Sequence, residues 1–88
     1  MQITFKLHAT LTDYLPRNAD GRKPDYNQLQ IDVPEGSDVQ SVINRFNLPP
    51  RQVHLVLVNG IYVAPPTRTT HRLSEGDALA IWPPIAGG

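Results

Sequence analysis

The chain contains no cysteine among its 88 residues. This absence excludes disulfide bonds, a zinc site built on cysteine thiolates and a thiol nucleophile. The three histidines, His8, His54 and His71, are widely separated, and this spacing favours strand or surface positions over a metal site. We also find no nucleophile–base pair, phosphate-binding loop or pair of catalytic carboxylates. The sequence therefore predicts a carrier or substrate without metal or bound cofactor, and not a catalyst.

An excess of charge, a long apolar run and a signal sequence are also missing. The 8 lysines and arginines balance the 8 aspartates and glutamates, which argues against a nucleic-acid-binding face or a polybasic membrane anchor. No apolar run approaches the length of a membrane span, and the first residues lack the basic and apolar regions of a secretion signal. We therefore expect a cytoplasmic protein with no nucleic-acid or membrane partner. Its length predicts one domain.

Alternation of apolar and polar residues predicts two strands near the amino terminus, over residues 2–8 and 28–33. The polar, turn-rich residues 17–27 predict an exposed loop between them, and we expect the two strands to pair antiparallel. The apolar positions that share one face are Ile3, Phe5, Leu7, Leu29, Ile31 and Val33.

The period changes over residues 38–46, where apolar residues recur at the spacing of one helical stripe. Ser37, followed by Gln40, predicts a capping box at the start of this helix. Asn47 and the Pro49-Pro50 pair predict its end. The stripe consists of Val39, Val42, Ile43 and Phe46.

Three further segments complete the sheet. Residues 53–58 are almost all apolar, Asn59-Gly60 is typical of a type I′ hairpin turn, and residues 61–63 return as a short strand. Residues 78–82 form a last strand. The pattern predicts an α+β domain over residues 1–88, in which one main helix covers one face of a small mixed sheet.

The carboxyl-terminal residues predict a flexible tail over residues 83–88 that leaves the sheet. Pro83 and Pro84 cannot donate to a strand ladder and have a fixed φ, which favours an extended path. Gly87 and Gly88 allow a close approach of the backbone to another protein. We expect this tail to thread into a narrow active site, and its residues are Pro83, Pro84, Ile85, Ala86, Gly87 and Gly88.

These features together resemble the MoaD/ThiS-like sulfur carriers of the ubiquitin-like β-grasp fold. The residues that carry the resemblance are Val58-Asn59-Gly60, Leu73-Ser74-Glu75-Gly76-Asp77 and the Pro-Pro-Ile-Ala-Gly-Gly tail. The chain is most similar to the small subunit of molybdopterin synthase, which typically ends in Pro-Pro-x-x-Gly-Gly, whereas thiamine-pathway carriers usually lack the two prolines. The resemblance covers nearly the whole chain and is weakest over the polar residues 17–27.

The resemblance implies a chemistry at Gly88. An ATP-dependent adenylyltransferase of the ubiquitin-activating type would convert the Gly88 carboxylate to an acyl adenylate, and a sulfur donor enzyme would then convert it to a thiocarboxylate. The thiocarboxylate would deliver sulfur to a precursor in an acceptor enzyme, such as a molybdopterin synthase large subunit. Because the chain has no cysteine, the sulfur must come from elsewhere. ATP would be used by the activating partner.

A docking face is expected beside the tail. In residues 54–58 and 78–82 both alternating sets are apolar, so the residues alone leave open which set faces the helix. We expect the helix to cover Leu55, Leu57, Leu79 and Ile81. The open face, with Trp82 as a binding hot spot, would then carry the partner-binding residues Val56, Val58, Ala80 and Trp82.

Other functions fit the same sequence. The carrier could serve thiamine or another sulfur metabolite. The chain could instead be a ubiquitin-like modifier that is joined through Gly88 to lysines, or a β-grasp interaction module whose tail has no chemical role.

Overall fold

The computed structural model describes residues 1–17, 19–21 and 27–84 of the chain. Within them lie five strands and one α-helix, in the order strand, strand, helix, strand, strand, strand, as the sequence predicts. The elements are β1 (Gln2–Leu7), β2 (Gln28–Asp32), α1 (Val39–Arg45), β3 (Leu55–Val58), β4 (Ile61–Tyr62) and β5 (Ala78–Trp82), with 3-10 turns at Ala9–Tyr14, Pro50–Gln52 and Pro65–Thr67.

The strands form one mixed sheet in the order β2-β1-β5-β3-β4. The predicted antiparallel pairing of β1 with β2 is confirmed, with Phe5 opposite Leu29. The neighbouring strands β1 and β5 are parallel, and the other neighbours are antiparallel. The first and last strands therefore lie side by side, which brings the end of β1 next to the start of the carboxyl-terminal tail.

Helix α1 buries its apolar stripe against one face of the sheet. Val39, Val42 and Ile43 are buried. Phe46 packs against the same core, with its ring stacked on Phe5 at a centroid distance of 4.5 Å. A buried aliphatic side chain contributes about 1.5–3 kcal/mol relative to an exposed one, so this stripe is what attaches the short helix to the sheet. The predicted stripe is confirmed.

The predicted cap of the helix is wrong by one residue. Asp38 is the N-cap, and its Oδ1 accepts a hydrogen bond from the Ser41 backbone N–H at 2.8 Å. The Ser37 hydroxyl instead donates to the Pro34 carbonyl at 2.7 Å, within the preceding turn. A carboxylate caps well because it accepts strongly and complements the helix dipole. The Gln40 side chain is engaged with Asn44, so no capping box forms.

The other helix end follows the expectation. Asn47 has a φ of 57°, in the left-handed region. Its N–H donates to Asn44 at 3.0 Å, and the Leu48 N–H donates to Ile43 at 3.2 Å. This pair of hydrogen bonds is a Schellman motif, which satisfies two of the carbonyls left free at a helix end.

The turns at the far end of the sheet from the tail are held together by side chains. Asn59 and Gly60 have φ values of 53° and 81°, as a type I′ turn requires. Asn59 Oδ1 accepts from the Ala78 N–H at 2.9 Å, and its Nδ2 donates to Asp77 Oδ1 at 2.9 Å. Asp77 Oδ2 accepts from the Ser74 N–H at 2.8 Å, and Glu75 accepts from the Gln2 N–H. The Glu75-Gly76-Asp77 motif therefore has a structural role.

The burial of β3 contradicts one prediction about the sheet. Val56 and Val58 are 0% and 4% exposed and face the helix, together with Leu79 and Ile81. Leu55 and Leu57 lie on the opposite face, because they pair with Trp82 and Ala80. The expected placement of Val56 and Val58 on the open face, and of Leu55 and Leu57 against the helix, is therefore wrong.

Two further features are absent from the part of the chain that the structure describes. None of the described helices is long and apolar enough to cross a membrane. No group of three histidine, aspartate or glutamate residues in the described ranges could hold a metal ion.

Candidate functional site: the tail root and the open face of the sheet

The tail leaves the sheet at the end of β5. The Trp82 carbonyl accepts a hydrogen bond from the His54 N–H at 3.0 Å, and Pro83 and Pro84 then lie outside any strand. The missing N–H of proline prevents further pairing in the ladder. Ile85, Ala86, Gly87 and Gly88 lie outside the described residues, so the threading role of residues 83–88 stays a prediction.

The face of the sheet opposite α1 is defined here as the open face. The strand pairings bring together on it residues from β1, β3 and β5. Of the four predicted partner-binding residues, Trp82 lies here half-buried and Ala80 lies here only 8% exposed, while Val56 and Val58 do not lie here. On the part of the open face that includes the tail root and the apolar residues of β3 and β5 lie Lys6, His8, Leu55, Leu57, Ala78, Ala80 and Trp82.

A shallow concavity of about 240 Å³ lies on the open face. Ala78 and Ala80 of β5 form its floor, and larger side chains, among them Lys6, Leu57 and Trp82, surround it. Tyr62, which pairs with Leu57 and is 54% exposed, lies next to this region. The surface offers an apolar floor with an ammonium group from Lys6, and this composition suits binding.

His8 and Trp82 form an aromatic stack at the tail root. Their ring centroids are 3.9 Å apart and their planes differ by 3°. The His8 N–H also donates to the Ile81 carbonyl at 3.1 Å. Because Trp82 is the last strand residue before Pro83, this stack holds the Trp82 side chain in place at the start of the tail.

The surroundings of the His8 ring favour its neutral form. Burial, assisted by the positive charge of Lys6, lowers the pKa of the His8 imidazole below its ordinary value. Asn27 Nδ2 lies 3.3 Å from His8 Nδ1. When the amide donates there, the ring proton is on Nε2. Nε2 is buried and has no hydrogen-bond partner among the described residues.

Lys6, His8, Leu55 and Leu57 were not among the residues predicted for the site. The alternation of β1 already places Lys6 and His8 on the face opposite Ile3, so their orientation was readable. The residues that surround them could not be predicted, because these depend on the parallel pairing of β1 with β5, in which Lys6 lies opposite Ala80. This pairing joins segments more than seventy residues apart.

Comparison with known proteins identifies the family. The model of the ThiS family matches residues 16–88, which is most of the chain. The chain belongs to the ThiS family. The resemblance to ubiquitin-like sulfur carriers expected from the sequence is thereby confirmed. No curated protein matches the sequence.

Solved structures of the same fold give a consistent result for the architecture. SAMP1 from Haloferax volcanii aligns with a TM-score of 0.65 and 22% identity, covering 100% of both chains. The thiamine biosynthesis protein ThiS from Geobacter metallireducens aligns with a TM-score of 0.63 and 16% identity, again over 100% of both chains. These similarities confirm the predicted ubiquitin-like β-grasp fold.

A third structure contains two different chains. It is the complex of subunits 1 and 2 of molybdopterin-converting factor from Helicobacter pylori 26695, and one of its chains aligns with a TM-score of 0.58 and 12% identity, with 100% of both chains covered. At 12% identity, this similarity is evidence for the shared fold alone.

Proposed function

We propose that the protein is a sulfur carrier that works through its carboxyl-terminal Gly88 and donates sulfur in molybdopterin biosynthesis. The observation that carries the proposal is a ThiS family match that extends to residue 88, on a chain whose last residues are Pro-Pro-Ile-Ala-Gly-Gly. The tail follows directly from a half-buried tryptophan on an apolar face, which suits a chain that must dock before its end can react.

The proposed chemistry begins with the Gly88 carboxylate. An unactivated carboxylate is a poor electrophile, because its negative charge repels nucleophiles and oxide is a poor leaving group. One carboxylate oxygen attacks the α-phosphorus of ATP and expels pyrophosphate, which leaves an acyl adenylate. Hydrosulfide, released by a donor enzyme, then attacks the acyl carbon, AMP leaves, and loss of the S–H proton gives the thiocarboxylate. Both reactions take place in partner enzymes, so this chain supplies the reacting group and no catalytic residue.

The residues before Gly88 serve its delivery. Pro83 and Pro84 restrict the backbone and so reduce the entropy that is lost when the tail enters a narrow channel. Gly87 and Gly88 have no side chain that could collide with the channel wall. Trp82 and the leucines of the open face supply apolar area for docking.

The proposed partners are an adenylyltransferase of the ubiquitin-activating type, a sulfur donor enzyme and an acceptor enzyme. Support for an acceptor comes from the H. pylori structure, in which a protein of this fold class is part of a complex of subunits 1 and 2 of molybdopterin-converting factor. We place the protein in the cytoplasm with these partners. It needs no bound cofactor of its own, since ATP is a substrate of the adenylyltransferase.

Two alternative functions use the same tail. The family name and the Geobacter structure favour a carrier for thiamine biosynthesis, and the small archaeal modifier protein from Haloferax favours a modifier that is joined to other proteins. All three begin with adenylation of Gly88 and differ in what attacks the acyl carbon afterwards.

ATP–pyrophosphate exchange tests the first step. The chain is incubated with the adenylyltransferase of its own organism, ATP and labelled pyrophosphate. We expect exchange with the wild type, and none with a chain that lacks Gly87-Gly88 or carries Gly88 as an amide. Exchange that persists with the amide would overturn the proposal, because an amide cannot form the acyl adenylate.

Identification of the product separates the three functions. If the protein is a carrier, deletion of its gene should abolish either molybdopterin or thiamine. The wild-type cells should then contain no proteins conjugated to this chain. The modifier function predicts isopeptide-linked conjugates that disappear when Gly88 is deleted. Normal molybdopterin in the deletion strain would exclude the first proposal in favour of one of the alternatives.

A further inference from the structure

A second cavity, with a volume of about 460 Å³, lies between the carboxyl-terminal end of α1 and the loops beside β3. Its apolar wall includes Ile43 and Val53, and its polar lining includes Asn44 and Arg68. Arg68 is 7% exposed and is the one charged residue among the buried residues of the described ranges. The docking function proposed above makes no use of it.

The hydrogen bonds of the Arg68 guanidinium are long and incomplete. Nε and Nη2 donate to the carbonyls of Val63 and His54, each at 3.5 Å, the outer limit of a hydrogen bond. Within residues 1–17, 19–21 and 27–84, no carboxylate forms an ion pair with the guanidinium, and Nη1 has no acceptor but is not fully buried. A largely buried charge that has only long hydrogen bonds and no ion-pair partner is poorly compensated. Burial accordingly lowers the pKa of Arg68 below its ordinary value.

The amides beside Arg68 add donor capacity to the cavity. Gln40 Nε2 donates to Asn44 Oδ1 at 3.1 Å. This hydrogen bond orients the Asn44 amide and leaves its own NH₂ group available as a donor. The cavity thus has one cation and one oriented amide donor on a partly apolar wall.

We propose that the Arg68 cavity is a binding site for a carboxylate group. A carboxylate carries one negative charge and matches the single guanidinium, with which it can form a charge-assisted hydrogen bond. A phosphate monoester carries about −1.5 to −2 at neutral pH and would leave negative charge unbalanced next to the carbonyl end of α1. The apolar wall accommodates the methylene groups of an acid.

The cavity lies close to the tail root. His54 links the cavity to the tail root, because its N–H donates to Trp82 and its carbonyl accepts from Arg68. A protein that receives the tail, if the proposed function holds, also approaches this cavity. The two sources of the carboxylate are an acidic side chain of such a protein and a free organic acid.

The test is a titration of the isotopically labelled chain, followed by NMR at constant ionic strength with sodium chloride as the balancing salt. The probes are acetate, N-acetyl-glutamic acid amide and inorganic phosphate. We expect saturable shifts of the Arg68 Nε–H and Asn44 side-chain signals with both carboxylates. Stronger binding of the blocked glutamate supports a protein side chain as the source, and stronger binding of acetate supports an organic acid. The proposal is overturned if sodium chloride alone causes the same shifts, or if phosphate binds more tightly than the two carboxylates.

Arg68→Met is the decisive variant and Arg51→Met its control. Both substitutions remove one positive charge, but Arg51 is exposed and does not line the cavity. We expect Arg68→Met to weaken carboxylate binding at least tenfold, as loss of a charged hydrogen-bond partner does, and Arg51→Met to leave it within about twofold. Equal binding by the two variants contradicts the proposal.

A second variant keeps the test valid if Arg68→Met does not fold. Asn44→Asp places a carboxylate on the cavity wall, where it competes for Arg68. We expect this variant to lose the acetate response at neutral pH, because its own carboxylate occupies the guanidinium. An acetate response that is unchanged at neutral pH contradicts the assignment. These readouts need no partner enzyme, so they can fail while the proposed function stands.

Discussion

At the scale of single residues, His8 connects the fold to the tail root. Its ring stacks on Trp82 at 3.9 Å, and its buried Nε2 has no partner among the described residues. The neutral ring tolerates this position, whereas a protonated ring would place a positive charge beside Lys6 and away from water. The tail root should therefore respond to acid through this residue.

We expect His8 to make the fold less stable as the pH falls. In the unfolded chain the histidine protonates near its ordinary pKa of 6.5, and in the folded protein it protonates at lower pH. Between these two values the unfolded state binds more protons, so the free energy of unfolding declines as the pH is lowered through this window. Urea unfolding of the wild type and of His8→Phe, which keeps an aromatic ring, measures the effect. Parallel pH curves for the two proteins would show that His8 does not contribute.

Neighbouring residues of β3 should differ sharply in their roles. Val56 is fully buried, and Val56→Ala should reduce the free energy of unfolding by about 2 kcal/mol through lost burial and a cavity. Leu57 lies on the open face, and Leu57→Ala should cost less than about 1 kcal/mol and weaken binding to the adenylyltransferase about tenfold. Denaturation and a binding titration of both variants check this pair. A larger loss of stability for Leu57→Ala, with weaker partner binding for Val56→Ala, would support the orientation predicted from the sequence, in which Leu57 faces the helix.

The sequence could not decide this orientation because β3 is apolar at every position. Alternation identifies the buried face only where polar residues mark the other one. That condition holds for β1, where Thr4 and Lys6 alternate with Ile3 and Phe5. In β3 the pairing with β5 decides, and this pairing is a property of the assembled sheet.

At the scale of elements, α1 is a helix of two turns that depends on its ends and on packing. Isolated helices of this length are unstable in water. Its N-terminal N–H groups are satisfied from outside the helix, by the His71 and Arg68 carbonyls and by the Asp38 carboxylate. The loop before β5 therefore caps the helix, which a search for local capping motifs could not find.

Asp38→Ala should destabilise the protein by about 1 kcal/mol, the usual cost of losing a cap. Ser37→Ala is the matched control, because the Ser37 hydroxyl serves only the exposed turn at Pro34, and we expect it to cost less than about 0.5 kcal/mol. Chemical denaturation of both variants provides the measurement. A larger loss for Ser37→Ala would restore the capping box that the sequence predicted.

At the scale of the whole molecule, the two ends of the sheet contain different structural features. One end holds the Asn59-Gly60 and Glu75-Gly76-Asp77 turns, which hydrogen bonds tie together and to β1. The other end carries the tail root, the His8–Trp82 stack and the Arg68 cavity. The resemblance expected from the sequence rested partly on the Glu-Gly-Asp turn, which is a structural motif of the fold, and partly on the tail, on which the proposed function depends.

The order of elements was predictable because each one has a local signal, such as alternation, a helical stripe or an Asn-Gly turn. The composition of the open face was not, since it joins β1, β3 and β5 through contacts that are distant in sequence. The Arg68 cavity had no local signal, because an arginine among threonines is typical of an exposed loop.

Under the proposed function, Gly88 carries the reactive group of the molecule. Mass spectrometry of the chain purified from its own cells tests it most directly, with a strain that lacks the adenylyltransferase as the control. We expect a species in which one sulfur replaces one oxygen, located on Gly88 by fragmentation and missing from the control strain. An unmodified Gly88 in every preparation, or sulfur that is also present without the adenylyltransferase, would contradict it.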